Sequence, residues 1–146
     1  DLARGGNSAG NFQPGFNFQL RFTGLTHVIQ EGAVFSGSGL SVIAGGTVNV
    51  EGAATATGDV GLSSGVLGGV GTLTVQSLFN WTGGTMQSAG TLNIASGGTL
   101  DIFGVATKTF TGGRIIENNG TIVWRDSGNI HATSGPVFNK IGRAHV

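Results

Sequence analysis

Residues 71–103 read GTLTVQSLFNWTGGTMQSAGTLNIASGGTLDIF, and one phrase recurs in them: Gly-Thr-aliphatic, a polar residue, then another aliphatic. Leu73 and Val75 carry it first, then Leu92 and Ile94, then Leu100 and Ile102. Thr72, Thr74, Thr91, Asn93, Thr99 and Asp101 alternate with these aliphatics. A period of two is the signature of short strands with one buried face. Outward from this stretch the phrase returns as Gly46-Thr47-Val48-Asn49-Val50 and as Gly120-Thr121-Ile122-Val123-Trp124. Gly-Thr followed by an apolar residue begins at positions 46, 71, 84, 90, 98 and 120, far more often than chance allows at this composition.

The intervals between the longer echoes are 25 residues (46 to 71), 19 (71 to 90) and 22 (98 to 120). Such spacing suits one coil of a parallel β-helix with three short strands per turn, and lies close to the roughly 20–45-residue range of solenoid repeats. The predicted fold is all-β, a right-handed parallel β-helix (β-solenoid) segment. Aliphatics would stack inside and Thr or Asn rows outside, with Gly and Ser allowing left-handed corners between faces. An antiparallel β-sandwich or meander is the alternative, because Ala95-Ser96-Gly97-Gly98 between two alternating strands also suits a tight hairpin.

The N-terminal DLARGGNSAGN is small and polar and reads as a loop or frayed end. Phe16, Phe18, Leu20 and Phe22 then alternate with Asn17, Gln19 and Arg21 in what reads as the most amphipathic strand of the chain. Residues 1–25 are therefore taken as an N-terminal loop and amphipathic strand, a cap or a preceding coil, and residues 26–140 as the solenoid repeats. Within the repeats, residues 52–70 show little alternation. Residues 141–146, IGRAHV, break the Gly/Thr style and match what one frame of a common sequencing adapter would encode. They are expected to be a non-native tail on a fragment of a longer protein.

Composition narrows function more by exclusion. Gly is 29 of 146 residues and charged residues are 10%, against about 7% and about 25% in average domains. Gly has no strict three-residue period, which excludes collagen, and regular aliphatic alternation with positive mean hydropathy is foreign to disordered chains. A formal net charge of zero argues against nucleic acid or an anionic membrane surface as partner. No apolar run approaches the roughly 18 residues of a membrane span, so no membrane insertion by this segment is expected. Cysteine is absent, which excludes a disulfide scaffold and a thiolate metal site.

No catalytic motif stands out. The acids Asp1, Glu31, Glu51, Asp59, Asp101, Glu117 and Asp126 are scattered singly, whereas glycan-cleaving sites need clustered carboxylates. Coil stacking would bring Asp101, Lys108, Glu117, Arg125 and Asp126 to one side, making them a weak surface-cluster candidate beside the plainer reading of solubilising charges. His27, His131 and His145 lie far apart, and His27 is read as an outward strand residue. No catalytic, cofactor-binding or metal-binding residue and no cofactor is assigned. Trp81 and Trp124 are read as core or corner packing, with carbohydrate-stacking platforms as the alternative.

The phrases LFNWTGGTMQSAGTLNIASGGTLDIFG (78–104) and NNGTIVWRDSGNIHATSGPVFN (118–139) resemble repeat regions of large bacterial exported proteins, the autotransporter passengers and filamentous-haemagglutinin-like adhesins. The resemblance covers roughly residues 37–140 and carries no catalytic signature. It implies a structural or adhesive segment, not an enzyme, in a secreted or cell-surface protein anchored to the outer membrane through other regions. It also implies host or environmental glycans or cell-surface proteins as partners, beside neighbouring coils of the same chain. The contrary expectation is a fragment of a β-helical polysaccharide lyase or hydrolase.

Overall fold

The computed structural model describes residues 1–140 and 143–145. All the strand pairings are parallel, and the described residues contain no helix. The strands form a β-solenoid with three faces. Gln19–Phe22, Leu78–Trp81, Thr99–Ile102 and Thr121–Trp124 belong to the first face. Gly6–Ser8, Thr26–Ile29, Gly84–Met86, Lys108–Phe110 and Ile130–Ala132 belong to the second. Asn11–Phe12, Val34–Phe35, Ala53–Ala56, Thr72–Val75, Thr91–Ile94, Ile115–Asn118 and Val137–Lys140 make the third. Two long strands, Leu40–Val50 and Asp59–Gly68, turn the corner from the first face to the second, with their register shifting around Ala44.

Along the second face one ladder runs Gly6, His27, Val48, Leu67, Met86, Phe110, Ala132, so successive coils take 21, 21, 19, 19, 24 and 22 residues. Phe22, Ile43, Leu62, Trp81 and Ile102 stack on the first face, and Phe35, Ala56, Val75 and Ile94 on the third. These side chains meet in one continuous interior. The polar partner of each aliphatic stays on the outer wall, as period-two alternation requires.

The coil explains the recurring phrase. A Cβ added to Gly46, Gly71, Gly84, Gly90, Gly98 or Gly120 would come within 3.0 Å of a backbone oxygen, in each case one from the preceding coil. Glycine precedes the strand because chain meets chain at the corner. Left-handed backbone is not the main reason, since Gly84 alone among these six has a positive φ. The next Thr faces out and the next apolar residue faces in: Val48, Leu73, Met86, Leu92 and Leu100 are all buried. The 25-residue interval between Gly46 and Gly71 crosses from one face to another, whereas the intervals of 19 and 22 are true coils.

Ala95–Gly98 is a corner between faces and not a hairpin. The strand before it pairs in parallel with Thr72–Val75 and Ile115–Asn118, the strand after it with Leu78–Trp81 and Thr121–Trp124. Four other local readings change. The polar N-terminus is not frayed: Leu2 bridges to Phe22, and Gly6–Ser8 pairs with Thr26–Ile29. Phe16 and Phe18 leave the amphipathic strand for an exposed turn, with Asn17 at φ 65°. Residues 59–68, unpromising in sequence, form a ten-residue strand. His27 points inward: it is 6% exposed, packs edge-on against Phe22 and places Nε2 3.0 Å from the Leu2 carbonyl oxygen. Its ladder neighbour Gly6 has no side chain, so the ring fills interior space that the first coil leaves open. Of the expected tail, Ile141, Gly142 and Val146 lie outside the described residues; the backbone of Arg143–His145 runs parallel to Thr121–Val123.

Candidate functional site

Four of the five clustered candidates meet at one place, the corner that leads from the first face to the second in the last two coils. Thr99–Ile102 and Thr121–Trp124 are adjacent strands, and their exits, residues 103–107 and 125–129, lie one above the other. Asp101 stands on the outer ladder of the first of these strands, and Arg125 leaves the end of the second. Arg125 Nε donates to Asp101 Oδ1 at 2.9 Å and its Nη2 donates to Oδ2, a two-pronged ion pair. The pair leaves Asp101 6% exposed while Arg125 lies outside it in solvent. The hydrogen bonds that Arg125 donates to Asp101, together with the Asp101 charge, hold the guanidinium above the usual arginine range. The guanidinium carbon also lies 5.3 Å from the centre of the Phe103 ring.

Asp126 follows with a left-handed φ of 68°, and its Oδ2 accepts the Gly104 backbone N–H at 3.0 Å. Lys108 reaches the same loop from below. Its Nζ donates to the carbonyls of Gly104 at 2.9 Å and Ala106 at 3.0 Å, and the side chain is fully buried. Burial lowers the Lys108 pKa, and the Asp126 charge partly opposes that shift. Glu117 is elsewhere: it lies on the outer ladder of the third face between Asn93 and Asn139.

Chemically, this corner is spent on itself. One carboxylate is clamped by arginine, the other caps a loop N–H, and the ammonium ties down two loop carbonyls that would otherwise be orphaned. Among the described residues no group of three or more His, Asp or Glu side chains could hold a metal ion.

Sequence reasoning passed over Arg114, which is also fully buried. In the pairing of the third face it stands where the coils before it have Gly52, Gly71 and Gly90. Its Nη1 reaches the carbonyls of Gly68 at 3.3 Å, Gly69 at 3.2 Å and Gln87 at 3.4 Å, while Nε and Nη2 find no partner. Burial lowers its pKa to about 10. The guanidinium roofs a column of corner glycines. One signal was available: a long cation at the position that the phrase reserves for glycine. Trp81 is wholly buried, whereas Trp124 is 37% exposed at the last coil.

A model of the haemagglutinin repeat matches residues 6–71 and 66–102. The chain belongs to the haemagglutinin repeat family. The matched stretch runs from the first strand of the second face to the end of Thr99–Ile102, so the haemagglutinin repeat corresponds to the stacked coils themselves. No curated protein and no solved structure matches the chain.

Proposed function

We propose that this haemagglutinin-repeat solenoid is an adhesive or structural segment of a large bacterial secreted or cell-surface protein, a rigid stalk or binding passenger whose partners are glycans or proteins of other surfaces. The observation that carries this reading is the in-register stack of three faces. Each coil is hydrogen-bonded to the next on every side, so the segment holds its length and presents its outer ladders at a fixed spacing of about 4.8 Å per coil. Beads coated with residues 1–146 should attach to polysaccharide- or cell-coated surfaces above beads carrying an unrelated globular protein. Attachment no better than that control would remove the binding role and leave the stalk.

A second reading, a fragment of a polysaccharide lyase or hydrolase, draws on the corner that joins Asp101, Arg125, Asp126 and Lys108. It requires release of unsaturated or reducing sugar ends by the purified chain, lost on substitution of Asp101 or Asp126. The prior engagement of both carboxylates disfavours it.

A further inference from the structure

The inner ladder of the third face runs Phe35, Ala56, Val75, Ile94 and then Asn118. Each earlier coil places an apolar side chain there, whereas this one buries an amide, only 1% exposed. A buried amide is costly unless its hydrogen bonds are used. Asn118 Oδ1 accepts the Gly120 backbone N–H at 3.1 Å, a local turn from side chain to backbone.

The strand Ile115–Asn118 gives way almost at once to Thr121–Trp124, so Asn119 and Gly120 are the whole corner. Gly120 has no substitute there, because an added Cβ would come within 3.0 Å of the Gly98 and Ala95 carbonyl oxygens. Asn119 is exposed. Asn119–Gly120 is also the one Asn-Gly step in the chain. Such a step is chemically labile: the glycine nitrogen, unhindered by a side chain, stands next to the asparagine amide and can close a succinimide ring on it. The Gly120 nitrogen loses its proton and bonds to Asn119 Cγ, the Cγ–Nδ2 bond breaks, and ammonia leaves with that proton. Water then opens the ring to aspartate or to isoaspartate, and the second product lengthens the backbone of a corner that has no slack.

In the stacked coils both reacting groups are held. The Gly120 N–H is turned to Asn118 Oδ1, and Asn119 Nδ2 donates to Asn93 Oδ1 at 3.0 Å. On either side, the Asn119 N–H donates to the Ile94 carbonyl at 2.8 Å and the Thr121 N–H to the Gly98 carbonyl at 3.0 Å. The Gly120 nitrogen therefore cannot swing onto Cγ without breaking bonds to the preceding coil. We infer that Asn119 is a latent deamidation site, and that Asn118 and Asn93 are positioning residues that keep it closed while the coils are stacked. The inference holds for a stalk and for a binding passenger alike.

The test is alkaline hydroxylamine, which attacks the succinimide and splits the chain between Asn119 and Gly120. It is applied to residues 1–146 folded and in urea, with circular dichroism reporting the fold. Peptide mapping without hydroxylamine reads aspartate and isoaspartate at position 119. The folded wild type should react at least about tenfold more slowly than the unfolded chain, since hydrogen bonds must break before attack. Asn118→Val restores the apolar ladder and removes the acceptor; its folded rate should rise about fivefold. Asn93→Ala, on the outer wall, should raise the folded rate about twofold and decides the matter if Asn118→Val does not fold. In urea all three chains should react alike. Equal rates for folded and unfolded wild type overturn the inference. So does an unchanged folded rate in either variant, including an Asn118→Val that melts lower yet reacts no faster, which would make Asn118 structural only.

Discussion

Leu92 and Thr91 are chain neighbours on opposite sides of the solenoid wall. Leu92 has no exposed surface and stacks between Leu73 and Ile116, whereas Thr91 is half-buried on the outer ladder. Leu92→Asp would place an unpaired charge among aliphatics and should cost at least about 4 kcal/mol, while Thr91→Asp should cost less than about 1 kcal/mol. Urea or thermal unfolding of the two variants checks this; equal losses would refute the inside/outside assignment. Arg114 tests a different balance. Its charge is carried into a buried site without a counter-ion, a penalty on the order of 3 kcal/mol for a pKa lowered to about 10. Arg114→Met, which keeps the volume and drops the charge, should be at least as stable as the wild type at pH 7. Arg114→Ala should lose about 2–4 kcal/mol through the cavity and the abandoned carbonyls. The folded pKa lies below the unfolded one, so above about pH 10 the unfolded state holds the proton more often. Wild-type stability should therefore gain from this group as pH rises past 10, and Arg114→Met should lack that gain.

At the scale of elements, the corner after Thr99–Ile102 separates a buried charge from an exposed one. Lys108→Ala should destabilise by about 1–3 kcal/mol, because the fully buried lysine side chain is lost and the half-buried Gly104 carbonyl loses its donor. Arg125→Ala should cost clearly less than Lys108→Ala, since its side chain is 60% exposed and solvent screens the pair with Asp101. Denaturant midpoints measured side by side decide it; a larger loss for Arg125→Ala would mean that the outer pair, and not the inner lysine, holds the corner. Lys108 also carries a pH sign. Its pKa is lowered by burial, so its contribution to stability should increase as pH climbs through the depressed pKa toward the ordinary lysine range. The element that sequence missed, Asp59–Gly68, shows why alternation fails where small residues dominate. Val60 and Leu62 face in, but Gly61 between them has no polar side chain to mark the outer face.

For the whole molecule, stability is a sum over coils and their neighbours, so an end contributes less than the middle. Deletion of residues 141–146 is expected to leave the melting temperature within error. What is described of that segment is backbone pairing of Arg143–His145 at an edge, and ordering each residue costs about 1–2 kcal/mol. A drop worth more than about 1 kcal/mol would make those residues part of the fold. Ahead of that segment, Phe138 in the strand Val137–Lys140 is 47% exposed and edge-on to Phe110 at 5.0 Å. Residues 1–146 on their own therefore present an exposed Phe138 beside a strand edge, and self-association of that polypeptide rising with concentration is the expected consequence.

Sequence alone determined the fold class, because two-residue alternation repeated at coil-length intervals allows few ways to bury the Leu, Ile and Val of each phrase. Of the five side chains it grouped on one side, four meet at the corner. On direction the coil-length spacing favoured parallel strands but left an antiparallel fold open, because Ala95–Gly98 suits a hairpin or a corner and both kinds of strand share the same alternation. Only the stacking of coils decided that. The tertiary structure likewise decided which way His27 faces, why each Gly-Thr phrase begins with glycine, and where Glu117 goes. All three depend on what lies one coil away, about twenty residues distant in the chain and about 4.8 Å distant in space.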